Sequence, residues 1–351
     1  MWAAWWALRA RPVTSGFLLF PFAGVTVLGL LQLLLRTTVY RFDTWEAVLF
    51  WGTALVLIFL SLQALAEEHA RRGFLRALLY FGFGISILAT AQYFTSGGKI
   101  FWLFPSGYPD ALGPFVYRNN YAAFIELLLP LAILDAMKDR RRALMHSLMA
   151  GVMYASVIAS ASRAGSVLAT IEVLAVLALA SRRRWFSRRI FGLGVAAILA
   201  SAVIFTSVVG WRVLLDRFGQ RDPFVFRREM LLSSLEMARA RPWMGFGQGT
   251  FQEVYPAYAT FDIGLVVNHA HNDWAEWLAE GGVPFFLLLA SAAVWAVRPA
   301  YRSIWGLGLL SVFLHALVDY PMQRLGLAAW VFVLLGALAA EERERRRTLT
   351  P

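Results

Sequence analysis

Apolar residues along this chain gather into runs close to the about 17 to 25 residues that a helix needs to cross a bilayer. They fall at 16–35, 46–66, 74–93, 120–137, 144–161, 162–180, 189–209, 283–298, 303–320 and 322–340. The pattern predicts an all-α polytopic membrane protein of about ten transmembrane helices. The runs 144–161 and 162–180 form one continuous apolar stretch, interrupted by Ser160, Ser162, Arg163 and Gly165. That interruption predicts a tight extracytoplasmic turn between two helices. The longest polar stretch, 210–282, contains aromatic residues and is not of low complexity, so it is expected to be a folded extracytoplasmic loop. Within it FRREMLLSSLEMARARPW reads as an amphipathic helix, with Arg227, Met230, Leu231, Ser234 and Ala238 on one face and Pro242 stopping it. GFGQGTF at 245–251 is a glycine-punctuated turn, which alone is weak evidence for a phosphate cradle beside the ordinary turn reading. A second outer segment, 94–119, carries Gly, Pro and aromatics suited to the interface.

Composition removes the soluble alternatives. Hydrophobic residues make up 59%, charged residues 16%, and the mean hydropathy is +0.59. The net charge of +11 is distributed as a topology signal, because Lys and Arg of short loops stay on the cytoplasmic side. With both termini inside, the inner segments hold Arg9, Arg11, Arg71, Arg72, Lys138, Arg140 to Arg142, Arg182 to Arg184, Arg188, Arg189, Arg298, Arg302, Arg343 and Arg345 to Arg347. The short outer loops hold only Arg36, Arg41, Lys99, Arg118, Arg163 and Arg324. No nucleic-acid partner is implied. The opening MWAAWWALRARP is too short to span and lacks a signal-peptide cleavage site, so it is expected to lie at the interface. The expected organisation is a transmembrane region of about seven helices over 1–209, the outer loop 210–282, transmembrane helices over 283–340 and a basic cytoplasmic tail over 341–351.

Candidate chemistry gathers on the outer side. His271, in HAHNDWAEWLAEGG, stands where the long loop runs back into an apolar helix, beside Asn272 and Asp273. His269 is two residues away. A titratable imidazole at a membrane surface suits a reaction on a lipid-linked substrate. Arg163 interrupts an apolar run, where a charge at a helix centre costs about 2.5 to 3.5 kcal/mol; at a turn it can also snorkel. Arg227 and Arg228 head the loop helix, whose N-terminal dipole adds to their positive field. Arg118 lies in YRNNY, where Asn119, Asn120 and Tyr121 offer hydrogen bonds to sugar hydroxyls. Asp273 and Glu280 are placed to orient an imidazole or an Arg, with helix capping the simpler role for Asp273. Asp319 and Arg324 bracket the last outer turn and are expected to pair structurally. The absence of cysteine excludes thiolate chemistry. Asp-x-Asp, HExxH, Walker and GxSxG motifs are also absent, so neither a metal site nor a cofactor is expected. A transporter of polysaccharide or lipid would carry its ionisable residues near the midplane; here only Arg76, Glu126, Asp135, Glu172 and His315 fall inside spans, and no repeated half is visible.

Four segments, in order, resemble the O-antigen ligase and O-antigen polymerase superfamily of bacterial envelope proteins. They are PFVYRNNYAAFIELLLPLA (115–132), SASRAGSVLA (160–169), RREMLLSSLEMARARPWMGFGQGTF (227–251) and HNDWAEWLAEGGV (271–283). They delimit a family-like catalytic region, 115–283. Family members often have about twelve spans, against ten here, and Pro between the two Asn of the first segment, where this chain has Arg118-Asn119-Asn120. The resemblance implies a GT-C-like glycosyltransferase in the bacterial cytoplasmic membrane, its active site facing the periplasm. Its donor would be a glycan on undecaprenyl diphosphate, and its acceptor lipid A-core or another glycan. His271 would be the general base, with Arg227 and Arg163 stabilising the diphosphate. Arg228, Arg118, Asn120, Tyr121, Asn272, Asp273 and Glu280 would contact or position substrate. Ligase is the first reading, and O-antigen or exopolysaccharide polymerase the second.

Overall fold

A computed structural model describes residues 13–107, 111–138, 141–183, 188–210, 212–219, 225–260 and 264–349. The N-terminal interfacial segment with Arg9 and Arg11, and also Arg140 and Arg184, lie outside the described residues. Among the described residues seven helices precede the long loop: α1 (Leu19–Leu34), α2 (Arg41–Ala64), α3 (Glu68–Thr95), α4 (Arg118–Lys138), α5 (Ala143–Ala159), α6 (Arg163–Arg182) and α7 (Arg188–Val209). Within the loop are α8 (Arg212–Phe218), α9 (Val225–Ala240) and α10 (Phe251–Val254). After it come α11 (Asp273–Ser303), α12 (Leu307–His315) and α13 (Leu325–Leu349). A two-residue hairpin, Lys99–Ile100 with Phe104–Pro105, decorates the loop before α4. The molecule is all-α and spans the membrane several times. The helices α2, α3, α4, α6, α11 and α13 are long and apolar enough to cross, while α1, α5 and the Val195–Ser207 part of α7 are shorter apolar helices.

Each predicted apolar run coincides with a helix, but 303–320 is not one of span length. Its helix, α12, has nine residues, or about 14 Å at 1.5 Å per residue. Ile304, at φ 67°, ends α11 and turns the chain sharply inward. Close packing then holds α12 on α4: a Cβ at Gly308 would stand 2.4 Å from the Leu127 carbonyl oxygen. The intramembrane carboxylate Glu126 fixes its far end, accepting from Ser311 Oγ at 3.1 Å and lying 2.9 Å from His315 Nδ1.

The helix at the centre is α4, buried over 94% of its apolar window. It is apolar on every side, the pattern of a helix enclosed by others, and it packs on α3, α5, α6 and α12. The split between α5 and α6 falls where Ser160 to Gly165 interrupts the apolar run. Ala161 takes φ 52°, and Ser162 caps α6 by accepting from the Gly165 amide at 3.1 Å. Gly165 also lets α6 close on α4, since a Cβ there would lie 2.4 Å from the Ala122 Cβ.

The described part of the long loop is folded on a small core of its own, including Met230, Met237, Phe246, Phe251 and Tyr255. The predicted amphipathic helix is α9, with Met230, Ser234 and Ala238 of the expected face buried and α11 packed against it. The glycine-punctuated segment is an ordinary turn. Its Phe246 and Gly247 amides donate to the carbonyls of Ala279 (3.1 Å) and Glu280 (2.9 Å), and the Gln248 amide to Gln32 Oε1 (3.0 Å). Those carbonyls are released by a kink in α11 at Gly282, φ 66°, where a Cβ would meet the Pro242 carbonyl oxygen at 2.4 Å. The kink thus locks the re-entering helix to the loop and aims its first turn at the bundle.

Candidate functional site

The loop that presents His271 is fastened from both sides. Asn272 caps α11, its Oδ1 accepting from the Ala275 amide at 3.0 Å, while its Nδ2 donates to the Leu317 carbonyl at 2.8 Å. Asp273 is fully buried in the first turn. Its amide donates to the Ala316 carbonyl at 2.9 Å, and its Oδ2 accepts from the Met322 amide at 3.0 Å. The cap is therefore Asn272, and Asp273 instead fastens α11 to the α12–α13 turn. Between these anchors His271 takes φ 51°, a left-handed conformation uncommon for a residue with a Cβ. Strain of this kind persists where the surroundings fix it, often at functional sites.

The imidazole meets Asp319. His271 Nδ1 lies 3.2 Å from Asp319 Oδ1, which also accepts from the Tyr320 amide at 2.9 Å. The other oxygen, Oδ2, accepts from Arg227 Nη2 at 3.2 Å and from Asn119 Nδ2. Arg227 donates further to the Val318 carbonyl (2.7 Å) and the Tyr117 hydroxyl (3.2 Å). Asp319 has 1% side-chain exposure, against 25% for His271 and 23% for Arg227. Burial alone would raise the Asp319 carboxyl, but the His271 hydrogen bond and the Arg227 charge outweigh it and hold the group below the usual carboxylate range. Tyr117 is driven the other way, to about 12, by burial and then by the Asp319 charge. Tyr320 stacks on Tyr117 at 5.9 Å and contacts both the His269 and His271 rings at 4.7 Å.

A neutral imidazole that shares its Nδ1 proton with Asp319 keeps Nε2 as an acceptor. The ring borders a cavity of about 900 Å³. Its lining joins polar side chains, His271, Asn120, Tyr117, Gln323 and Arg324, to apolar ones, Phe81, Ile85, Phe124, Leu327 and Trp330. Asn120 adds a buried Oδ1 with no hydrogen-bond partner among the described residues. The geometry suits a ligand with a polar head and a long apolar body.

The other predicted residues divide. Arg163 at the start of α6 lies within coulombic reach of Arg227 and Arg118, so three guanidiniums lie near one another. Arg228 is exposed on α9. Tyr121 is fully buried and does not line the cavity: one position along α4 from Asn120, it faces the core beside Phe115. Glu280 accepts from the Phe251 amide at 3.2 Å, so it holds the glycine turn and is not brought to an imidazole or an Arg. His269 pairs at 2.9 Å with Glu276, which also accepts from the Ala270 amide at 2.7 Å. The expected pairing of Asp319 with Arg324 does not occur, because Arg324 bonds the Tyr320 hydroxyl at 3.1 Å and lies over its ring. Sequence reading thus gave the hub, Asp319, only a structural pairing and Asn119 only a sugar contact, and it missed Tyr117, Tyr320 and Glu276. Among the described residues no three acidic or imidazole groups are gathered to hold a metal ion.

Fold and site together define a multi-span α-helical membrane protein with a histidine–carboxylate pair at a membrane edge and a cavity that runs from it between the helices. Residues 148–290 match the family model Wzy_C, described as O-antigen ligase. The matched segment contains Arg163, Arg227, Arg228 and His271, whereas Tyr117, Asn119, Asn120 and Asp319 lie outside it. No curated protein matches the chain.

Proposed function

We propose that the protein is an O-antigen ligase-like transferase that moves a glycan from undecaprenyl diphosphate to a hydroxyl of lipid A-core at the outer face of the bacterial cytoplasmic membrane. The observation that carries the reading is the His271–Asp319 pair on a cavity lined by both polar and large apolar side chains. The polyprenyl chain lies against Phe81, Phe124 and Trp330, and the diphosphate meets Arg163, Arg227 and Arg118. These cations are close enough to oppose one another, and an anion between them relieves that repulsion. His271 Nε2 takes the acceptor hydroxyl proton, the oxygen forms its bond to the anomeric carbon, and the bond from that carbon to the diphosphate oxygen breaks. The leaving diphosphate departs with the electron pair, its charge stabilised by the guanidiniums. Arg227 acts also as a positioning residue, since two of its bonds go to Asp319 and Val318. Orientation rests on the inner-loop basic residues, several of which cluster at the end opposite Asp319. The ten-span, GT-C-like arrangement and the boundaries at 209, 282 and 340 belong to the same reading.

Two measurements test it. With arginines in place of a cation, transfer in washed membranes is expected to be unchanged in excess EDTA; a loss restored by magnesium overturns the mechanism. A deletion strain is expected to accumulate full-length lipid-linked polymer. Accumulated single units would make the protein a polymerase with the same donor chemistry, and neither would leave a non-catalytic transporter.

A further inference from the structure

The opposite end of the bundle holds a second cavity, of about 990 Å³, between the first turns of α3, the last turns of α4 and the C-terminal part of α13. Seven Lys and Arg residues line it against four carboxylates. Four of the guanidiniums are committed to acids: Arg71 to Glu344, Arg72 to Glu68, Arg345 to Glu341 and Arg302 to Glu342. Arg76 also lines the cavity and has no ion pair among the described residues, and Lys138 and Arg141 add their charge to the same wall. His146 supplies an independent observation. It lines the cavity at 2% exposure, and neither ring nitrogen has a hydrogen-bond partner among the described residues. A buried imidazole with both nitrogens unsatisfied calls for a missing partner, and where seven cations line the wall against four carboxylates that partner is anionic. The flank is apolar, with Leu75, Leu131 and Leu134.

We propose that this cavity binds the headgroup phosphate of an anionic phospholipid. Phosphate oxygens accept from His146 and Arg76, and an acyl chain follows the leucines. Basic pockets between transmembrane helices at a membrane surface bind such headgroups. The site is distinct from the Asp319 centre and does not depend on the transferase reading.

The test uses the full chain purified in phosphatidylcholine-containing micelles. Retained lipid is measured by native mass spectrometry and Tm by thermal unfolding, after addition of phosphatidylglycerol, phosphatidylcholine or inorganic phosphate alone. Phosphatidylglycerol is expected to be retained preferentially and to raise Tm. Arg76→Gln is expected to lower its retention about fivefold. His146→Leu is expected to lose the phosphatidylglycerol increment without losing Tm in phosphatidylcholine, because it removes two unsatisfied polar atoms. Equal retention of the two lipids, or undiminished phosphatidylglycerol retention in Arg76→Gln, overturns the proposal. A Tm rise given in full by inorganic phosphate alone also overturns it, in favour of a soluble phosphate ligand.

Discussion

Replacement of His271 by Asn is expected to lower the rate of glycan transfer by about 10²- to 10⁴-fold, the usual contribution of a positioned general base, with the protein still folded in the membrane. Asn is the informative substitution because position 271 has φ 51°, and Asn is among the residues that tolerate the left-handed region. Ala there adds backbone strain to the loss of the imidazole. An Asn side chain can still bond Asp319 but cannot take a proton at neutral pH. The loss should therefore fall on kcat, with KM for the lipid-linked donor little changed, since the apolar wall and the arginines remain. The same variant in His269 should be far milder, because that ring is held by Glu276 and not by Asp319. Single-turnover transfer in membranes with matched protein levels measures both. Normal transfer by the His271 variant would remove the enzyme reading, and a collapse confined to His269→Asn would move the base by two residues.

The fold was legible where hydropathy alone decides it. Every apolar run became a helix, and Ser160 to Gly165, a few polar or small residues inside an apolar stretch, marked the α5–α6 turn. What hydropathy cannot show is whether an apolar run crosses the membrane or stops inside it. Residues 303–320 are apolar enough to span, yet Glu126 on a distant helix and the turn at Ile304 limit α12 to nine residues. The site was legible to the same degree. His271, Arg227 and Arg163 stood out as polar groups at membrane edges; in the structure His271 and Arg227 both meet Asp319, and Arg163 lies within coulombic reach of Arg227. Asp319 did not stand out, because its meaning depends on contacts with Asn119, Arg227 and His271, which are 200, 92 and 48 positions away. A nearby Arg324 offered a local partner. One signal was available: a carboxylate at the end of an apolar run, with no cation directly beside it, must be compensated from elsewhere in the fold.

Asp319→Asn is expected to be nearly as damaging as loss of the imidazole, for two separable reasons. The carboxylate accepts from four groups, His271, the Tyr320 amide, Arg227 and Asn119, and an amide presents one oxygen and one NH₂ in its place. Whichever way it turns, either His271 Nδ1 or the Arg227–Asn119 pair faces a donor, so the imidazole loses the partner that fixes its tautomer. In a Ser-His-Asp triad the same change lowers kcat by about 10⁴. The second reason is stability, because removing one partner of a buried ion pair costs about 3 to 5 kcal/mol, here discounted for the partial exposure of Arg227. Stability and turnover, measured separately, distinguish the two. Because the Asp319 carboxyl is held below its unfolded value of about 4, the stability it contributes is fully present above that value and is lost as pH falls through the lower folded value. Between pH 5 and 9 it stays charged, and the wild-type pH–rate profile over that window excludes its titration. In Asp319→Asn kcat per folded molecule within that window is expected to fall, and adding the change to His271→Asn is expected to cost little more, because the imidazole it orients at 3.2 Å is already gone. A variant that is merely less stable would keep kcat per folded molecule, and one in which Asp319 serves Arg227 alone would lose as much again in the His271→Asn background.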